Sequence, residues 1–178
     1  MKILLFALIL LVVMAPPGQG QAGPLRSPDR KVPNRAVPVE TDHLVLMTYV
    51  TSEVVKSGAQ FFLVFEIIPR PRMHVYAPGA HRYQTIRVRL DPHPRLIVRP
   101  LEYPPSETFV FEPLDERVPV YQKAFILRQP LLVRAPARGT RTGIDEVSIK
   151  GTLEYQACDD RVCFKPQSIP ISYTVRVK

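Results

Sequence analysis

Within residues 145–156, apolar and polar side chains alternate strictly from Val147 onward. One side carries Val147, Ile149, Gly151, Leu153 and Tyr155, and the other carries Ser148, Lys150, Thr152, Glu154 and Gln156. Successive side chains of a β-strand point to opposite faces of its sheet, so this pattern predicts a strand that covers a core with one face only. The same alternation recurs in residues 171–178 and 86–91.

Other segments extend the strand pattern along the chain. Every residue in 61–68 except Glu66 is apolar, which predicts a central strand with both faces largely covered. Five more short apolar segments complete a set of about nine strands: 44–50, 73–77, 96–101, 118–127 and 131–134. Helices are disfavoured by the twenty prolines of this 178-residue chain, since proline lacks a backbone N–H and clashes with the preceding helical turn. The sequence therefore predicts one all-β domain, an antiparallel sandwich of two sheets.

Basic residues exceed acidic residues by eight, since the chain has 24 Lys and Arg against 16 Asp and Glu. Such an excess can indicate a nucleic acid or an anionic surface as partner. Here acidic residues interrupt the basic ones throughout, and no segment pairs basic residues with the aromatics that would stack on bases. The predicted strands place Arg87, Arg89, Lys150 and Arg176 on solvated faces. We therefore expect no nucleic-acid partner.

The first 22 residues have the pattern of an export signal. Lys2 precedes an apolar run over residues 3–14, and small residues then lead to Ala22. The run is shorter than the roughly 20 residues that a membrane-spanning helix needs. We expect cleavage after Ala22 or, as a second choice, after Gly20; the alternative is an uncleaved anchor.

Residues 23–42 are rich in proline and charge and predict a flexible lead-in to a domain over residues 43–178. With the signal removed, the domain is expected to be a soluble periplasmic or otherwise exported protein that needs no membrane contact. Disulfides persist outside the cytoplasm, so an exported chain can keep its cysteines oxidised.

Cys158 and Cys163 are the two cysteines of the chain. They lie between two predicted strands, so a chain reversal would bring them within the distance that a disulfide requires. One interpretation is a structural staple, although a loop this short stabilises a fold by only about 2 kcal/mol. The other is a pair that cycles between dithiol and disulfide, since a tight bridge at an exposed end of a sandwich is accessible to thiolates. Spacing alone leaves both interpretations open.

A metal site is a third interpretation, because two thiolates and imidazoles could bind zinc or copper. The histidines of the chain are His43, His74, His81 and His93. None lies at a short sequence spacing from the cysteine pair, and turn or surface roles explain them more simply. We expect no metal and no other cofactor.

Residues 151–166 read GTLEYQACDDRVCFKP. This segment closely resembles the active-site strand and turn of the amino-terminal periplasmic domain of DsbD, the thiol:disulfide interchange reductase. The specific elements are Tyr-Gln, a small residue and Cys158, then the closely spaced Cys163, an aromatic residue and a proline. The segments MHVYAP at 73–78 and VPVY at 118–121 are also similar and occur in the same order. The resemblance covers roughly residues 44–178.

The resemblance implies an immunoglobulin-like sandwich that acts in protein disulfide reduction. In that family the domain receives electrons from a thioredoxin-like domain fed by a membrane electron channel, and it passes them to periplasmic thioredoxin-fold proteins. Carried onto this chain, Cys158 and Cys163 are the redox pair, and Cys163 is the cysteine that forms mixed disulfides. Thioredoxin-like proteins are the implied partners.

The family also shields its cysteines with a mobile cap loop that bears an aromatic residue. The implied candidates here are Phe109 and Phe111, with Glu112 beside them, and Tyr76 is a further shielding candidate. The alternative is that one or both phenylalanines are ordinary core residues.

The chain departs from the family pattern in two ways. The gap between the cysteines can be one residue longer in the family, and Lys165 occupies a position where proline is common. In addition, no membrane bundle and no second CxxC motif follow in the sequence, which ends at Lys178. The expected protein is therefore a free-standing version whose electron donor is a separate, membrane-bound molecule. The rival hypothesis is an exported binding or structural sandwich whose disulfide never turns over.

Overall fold

The computed structural model describes residues 38–112, 115–135 and 145–178. The predicted signal peptide and most of the predicted lead-in lie outside the described residues. The described residues form thirteen strands: β1 (Val39–Glu40), β2 (Leu44–Val50), β3 (Val54–Val55), β4 (Gln60–Pro69), β5 (His74–Tyr76), β6 (Arg87–Leu90), β7 (Leu96–Val98), β8 (Glu107–Phe111), β9 (Glu116–Tyr121), β10 (Phe125–Val133), β11 (Asp145–Tyr155), β12 (Ala157–Cys158) and β13 (Gln167–Val177). In this part of the chain no helix is long and apolar enough to cross a membrane.

The strands form three sheets. Sheet 1 has the order β1-β2-β4-β10-β7, sheet 2 has the order β3-β13-β11-β6, and sheet 3 has the order β12-β5-β9-β8. The pairings between these strands are antiparallel, except that β3 runs parallel to β13.

Sheets 1 and 2 enclose the main core. The strands β11 and β13 pair over their whole lengths, with Val147 opposite Val175 and Leu153 opposite Ile169. Their buried side chains belong to one apolar cluster with alternate residues of β2, β4 and β10. A hydrogen bond between the hydroxyls of Thr48 and Tyr173 joins the two sheets directly. The predicted all-β, immunoglobulin-like sandwich is confirmed, but the described strands form three sheets rather than the two expected, because the short strands β5, β8, β9 and β12 pair separately.

The strand boundaries differ from the sequence prediction in one region. A single strand over residues 118–127 and a separate one over 131–134 were expected, but the chain instead breaks after Tyr121 and resumes in β10, which continues to Val133. That expectation was wrong. The four strands absent from the prediction, β1, β3, β8 and β12, have two to five residues each and carry too little sequence pattern to be recognised.

Pro130 lies inside β10 because Gln129 compensates for its missing hydrogen bond. The N–H of Arg99 donates to the Pro130 carbonyl at 3.0 Å, but Pro130 has no N–H to donate in return. The side-chain amide of Gln129 donates to the Arg99 carbonyl instead, at 2.6 Å. The strand therefore continues past a residue that usually ends one.

Gly151 brings β6 close to β11. It lies opposite Leu90 in the register of the two strands. A Cβ atom at this position would lie 2.1 Å from the carbonyl oxygen of Arg89, well inside van der Waals contact. This close approach explains why glycine interrupts the otherwise bulky apolar side of the β11 alternation.

Sheet 3 carries a second, smaller apolar cluster. Its buried members are Tyr76, Ala80, Val118, Val120 and Cys158, and Tyr83 and Phe109 pack against them. One of the two cysteines is thus part of this cluster, which places the candidate site on sheet 3.

Candidate functional site

A tight turn after β12 brings Cys163 back to Cys158. The Oδ1 atom of Asp159 accepts hydrogen bonds from the backbone N–H groups of Arg161 and Val162, both at 2.7 Å. These bonds lower the pKa of the Asp159 carboxyl, so the carboxylate that holds the turn is ionised at neutral pH. The turn is closed by the Asp159 N–H, which donates to the Val162 carbonyl at 3.0 Å.

Cys158 and Cys163 are joined by a disulfide, and their Cα atoms lie 4.1 Å apart. The two residues differ in exposure. Cys158 is 1% exposed, within the apolar cluster of sheet 3, whereas Cys163 is exposed on the turn. A protein thiol or thiolate approaching from solvent therefore meets Cys163 first.

Tyr76 of β5 contacts both sulfur atoms. Its hydroxyl lies 3.1 Å from Sγ of Cys158 and 3.3 Å from Sγ of Cys163. Burial, with a smaller contribution from Tyr83, raises the pKa of Tyr76 well above its usual value. The phenol therefore keeps its proton, and its O–H can donate a hydrogen bond to sulfur.

Tyr83 and Glu116 extend this contact away from the cysteines. The ring of Tyr83 stacks on Tyr76 with centroids 4.0 Å apart, and the Tyr83 hydroxyl donates to Oε2 of Glu116 at 2.7 Å. The hydrogen bond to Glu116 is the main reason that the pKa of Tyr83 is raised. The Tyr76 ring is thus held in place by a stacked partner that is itself fixed to β9.

His74 lies two residues before Tyr76, on the same face of β5. It is the register partner of Cys158 and is 4% exposed. Its ring lies against Phe109 with centroids 4.4 Å apart and meets the edge of the Tyr76 ring at 5.5 Å. Burial lowers the pKa of His74, with a partial opposing effect from Asp159 and Asp160.

These groups surround an open pocket of about 170 Å³ beside the disulfide. It is lined by His74, Tyr76, Tyr83, Phe109, Phe111, Glu116, Val118, Cys158, Asp159, Arg161, Val162 and Cys163. Five of these lining residues are aromatic, and the lining carries both charge signs. Among the described residues, no group of three or more His, Cys, Asp or Glu side chains is placed to hold a metal ion.

Sequence comparison identifies the protein family to which this chain is related. Residues 52–173 match the family model described as the amino-terminal part of the thiol:disulfide interchange protein DsbD. The match covers more than half of the chain and includes both cysteines. The chain belongs to the DsbD amino-terminal family.

A solved structure similar to this member of the DsbD amino-terminal family is the N-terminal periplasmic domain of ScsB from Proteus mirabilis. The two chains are 12% identical, with a TM-score of 0.46. The match covers 80% of this chain and 49% of the ScsB chain, so the present chain spans about half the length of that structure. No curated protein sequence matches the chain.

Most residues singled out from the resemblance to the DsbD family lie together. Cys158, Cys163, Tyr76, Phe109 and Phe111 all line the pocket. Both phenylalanines belong to β8 and are half-buried, and Phe109 also packs against the apolar cluster of sheet 3. The shielding role of these aromatics stays a prediction.

Glu112 follows β8, is exposed, and is not among the residues that line the pocket. The acidic side chain on the pocket wall is Glu116.

His74, Tyr83 and Glu116 were not among the site residues predicted from the sequence. For His74 a signal was present, since alternation along a strand places His74 and Tyr76 on one face. Tyr83 and Glu116 are 33 residues apart, and no local pattern connects them.

Proposed function

We propose that this chain is an exported thiol:disulfide interchange module that uses Cys158 and Cys163 as its redox pair. The observation that carries the proposal is the unequal exposure of the pair within a member of the DsbD amino-terminal family: Cys163 is exposed and Cys158 is buried beneath it. A purely structural disulfide does not require one exposed and one buried cysteine. An exchange reaction requires this difference, because one thiolate must contact the partner protein while the other remains available to resolve the mixed disulfide.

The proposed reaction begins with the reduced pair and the disulfide of an oxidised thioredoxin-like protein. The Cys163 thiolate attacks one partner sulfur, so a mixed disulfide forms and the second partner sulfur leaves as a thiolate. Cys158 then attacks Cys163, the Cys158–Cys163 bond forms, and the first partner sulfur leaves. Two electrons pass from the cysteine pair to the partner, whose thiolates take up protons from solvent.

Tyr76 supports the reduced form in this mechanism. A thiolate on either cysteine lies within hydrogen-bond reach of the protonated Tyr76 hydroxyl. Hydrogen bonding to the charged form of a group lowers its pKa, so the hydroxyl favours thiolate over thiol. The turn keeps Cys158 beside Cys163 and gives the resolving thiol a high effective concentration.

The partners belong to the same proposal. Thioredoxin-like proteins are the acceptors, and a separate membrane-bound protein returns the electrons. Phe109 and Phe111 shield the disulfide when no partner is bound, with Glu112 directly after the same strand. Export by the predicted signal at residues 1–22 places the domain where such partners act.

Equilibration in glutathione buffers tests whether the disulfide turns over. The free thiols are trapped at each glutathione ratio, and the reduction potential is calculated from the fraction reduced. We expect a potential above about −300 mV, because structural disulfides of exported proteins lie below that value. A lower potential would favour the rival hypothesis of a fixed disulfide and would remove the proposed function.

Single-cysteine variants test the order of attack. Cys158→Ser keeps the exposed thiol and should accumulate a reducible adduct with an oxidised thioredoxin-like protein on non-reducing gels. The matched variant, Cys163→Ser, keeps the buried thiol and should form much less of that adduct. Equal adduct formation by both variants would contradict the assignment of Cys163, and no adduct with either would contradict the exchange reaction.

A further inference from the structure

His74 is a buried titratable residue on the strand next to the buried cysteine of the proposed redox pair. His74 of β5 and Cys158 of β12 are directly opposite one another in an antiparallel register. Residues in this relationship have Cβ atoms about 4.5–5.5 Å apart. Both side chains are buried and both line the same pocket. A titratable base and the proposed resolving thiol therefore line the same pocket.

The position of the imidazole is set by packing. Phe109 lies against one side of the His74 ring and the Tyr76 ring lies edge-on to it, with centroid distances of 4.4 Å and 5.5 Å. The other titratable or charged groups around this space are Tyr83, Glu116, Asp159, Asp160, Arg72 and Arg161. Asp159 and Asp160 favour the imidazolium, whereas burial opposes it.

We propose that His74 is a positioning residue for exchange, which holds Cys158 as a thiolate in the reduced protein and so readies it for the resolving step. This inference rests on the proposed function. Once the disulfide opens, burial disfavours a Cys158 thiolate, because a charge is costly in an apolar cluster. Transfer of the thiol proton to His74 replaces that lone charge with a thiolate and imidazolium pair.

The expected size of the pKa shift follows from the short distance between directly opposite residues. An opposite charge within about 4–6 Å shifts a pKa by about 1–3 units towards the charged form. The two groups titrate as one coupled pair, so ionisation of Cys158 also raises the pKa of His74. In the resolving step the thiolate attacks Sγ of Cys163, the Cys163–partner bond breaks, and the departing partner thiolate takes a proton from the imidazolium or from solvent. Atoms and electrons balance without a further reactant.

The test uses a Cys163→Ser background, in which Cys158 is the single thiol of the chain. The thiolate of Cys158 is followed by its ultraviolet absorbance as a function of pH, with and without His74→Phe. Phenylalanine keeps a ring between Phe109 and Tyr76 and removes the titratable nitrogen atoms. We expect His74→Phe to lower the thiolate fraction at neutral pH by about tenfold. His81→Gln, which removes an exposed imidazole outside the pocket lining, should leave it unchanged.

A second measurement covers the case in which His74→Phe disturbs the fold. The imidazole protons of His74 are titrated by NMR in the unsubstituted chain, in its oxidised and reduced forms. We expect a higher pKa for His74 in the reduced form, and no such rise in a Cys158→Ser variant. An identical His74 titration in the oxidised and reduced forms overturns the inference. This outcome is independent of partner adducts, so it leaves the proposed exchange reaction standing.

Discussion

The hydroxyl of Tyr76 lies 3.1 Å from Sγ of Cys158, although the two residues are 82 positions apart in the chain. The pairing of β5 with β12 brings them together, and the stacked ring of Tyr83 keeps the phenol in place. The buried sulfur therefore has a donor of fixed position on one side.

Removal of the Tyr76 hydroxyl should slow exchange while the fold remains. In Tyr76→Phe the ring still stacks on Tyr83, but neither sulfur has the O–H donor. A hydrogen bond to a charged group contributes about 1.5–3 kcal/mol, so we expect at least a tenfold lower thiolate fraction at neutral pH. The pH dependence of the reaction with an oxidised thioredoxin-like protein measures this effect. Tyr121→Phe, which removes a hydroxyl bonded to the Pro104 carbonyl, is the control, and equal rates for the two variants would contradict the role of Tyr76.

The turn held by Asp159 should stabilise the disulfide relative to the dithiol. Asp159→Ala removes the acceptor of two backbone hydrogen bonds, so the turn becomes looser and the equilibrium in glutathione buffer should shift towards the reduced form. Asp159→Asn removes the same charge but keeps an oxygen acceptor, and we expect a smaller shift. If the two variants shift the equilibrium equally, charge rather than turn geometry is responsible.

Gly151→Ala should destabilise the sandwich. The added Cβ would lie 2.1 Å from the Arg89 carbonyl oxygen, so β6 and β11 must separate. Overpacking a well-filled site costs about 1–3 kcal/mol, and we expect a loss of unfolding free energy in that range or above. Urea denaturation measures it. Ser172→Ala, on the exposed side of the neighbouring strand, should cost less than about 0.5 kcal/mol.

Alkaline pH should unfold the domain through its buried tyrosines. Burial raises the pKa of Tyr121 from 10.0 to about 12, and it also raises the pKa of Tyr76, Tyr155 and Tyr173. The folded state therefore binds these protons more tightly than the unfolded state does. The resulting stability is complete below the unfolded pKa and is lost as pH rises towards the folded pKa.

Urea midpoints measured at neutral pH and at several values above pH 10 check this dependence. We expect the urea midpoint to fall as the pH rises. The fall should be less steep for Tyr121→Phe, because this variant lacks one of the protons that the folded state binds more tightly. A midpoint that stays constant up to pH 12 would show that the tyrosines titrate alike in the two states.

The sequence by itself determined the class of fold and the two cysteines that form the disulfide. In β11 and β13 the alternation of apolar and polar residues specifies both the strand and the face that it buries, because side chains on a strand point to opposite sides in turn. The cysteine pair could also be recognised, since its members are five positions apart on one turn. The alternation and the cysteine spacing both involve residues that are close together in the sequence, so they can be recognised without the tertiary structure.

Tertiary structure alone decided the environment of that pair. The contact of Tyr76 with Cys158, the bond of Tyr83 to Glu116 and the position of His74 opposite Cys158 each depend on strand pairing between distant segments. The position of Pro130 within a strand also depends on a distant segment, because the Gln129 side chain donates a hydrogen bond to the Arg99 carbonyl. Hydrogen bonds and ring contacts of this kind form only after the chain has brought its distant parts together, so no local pattern encodes them.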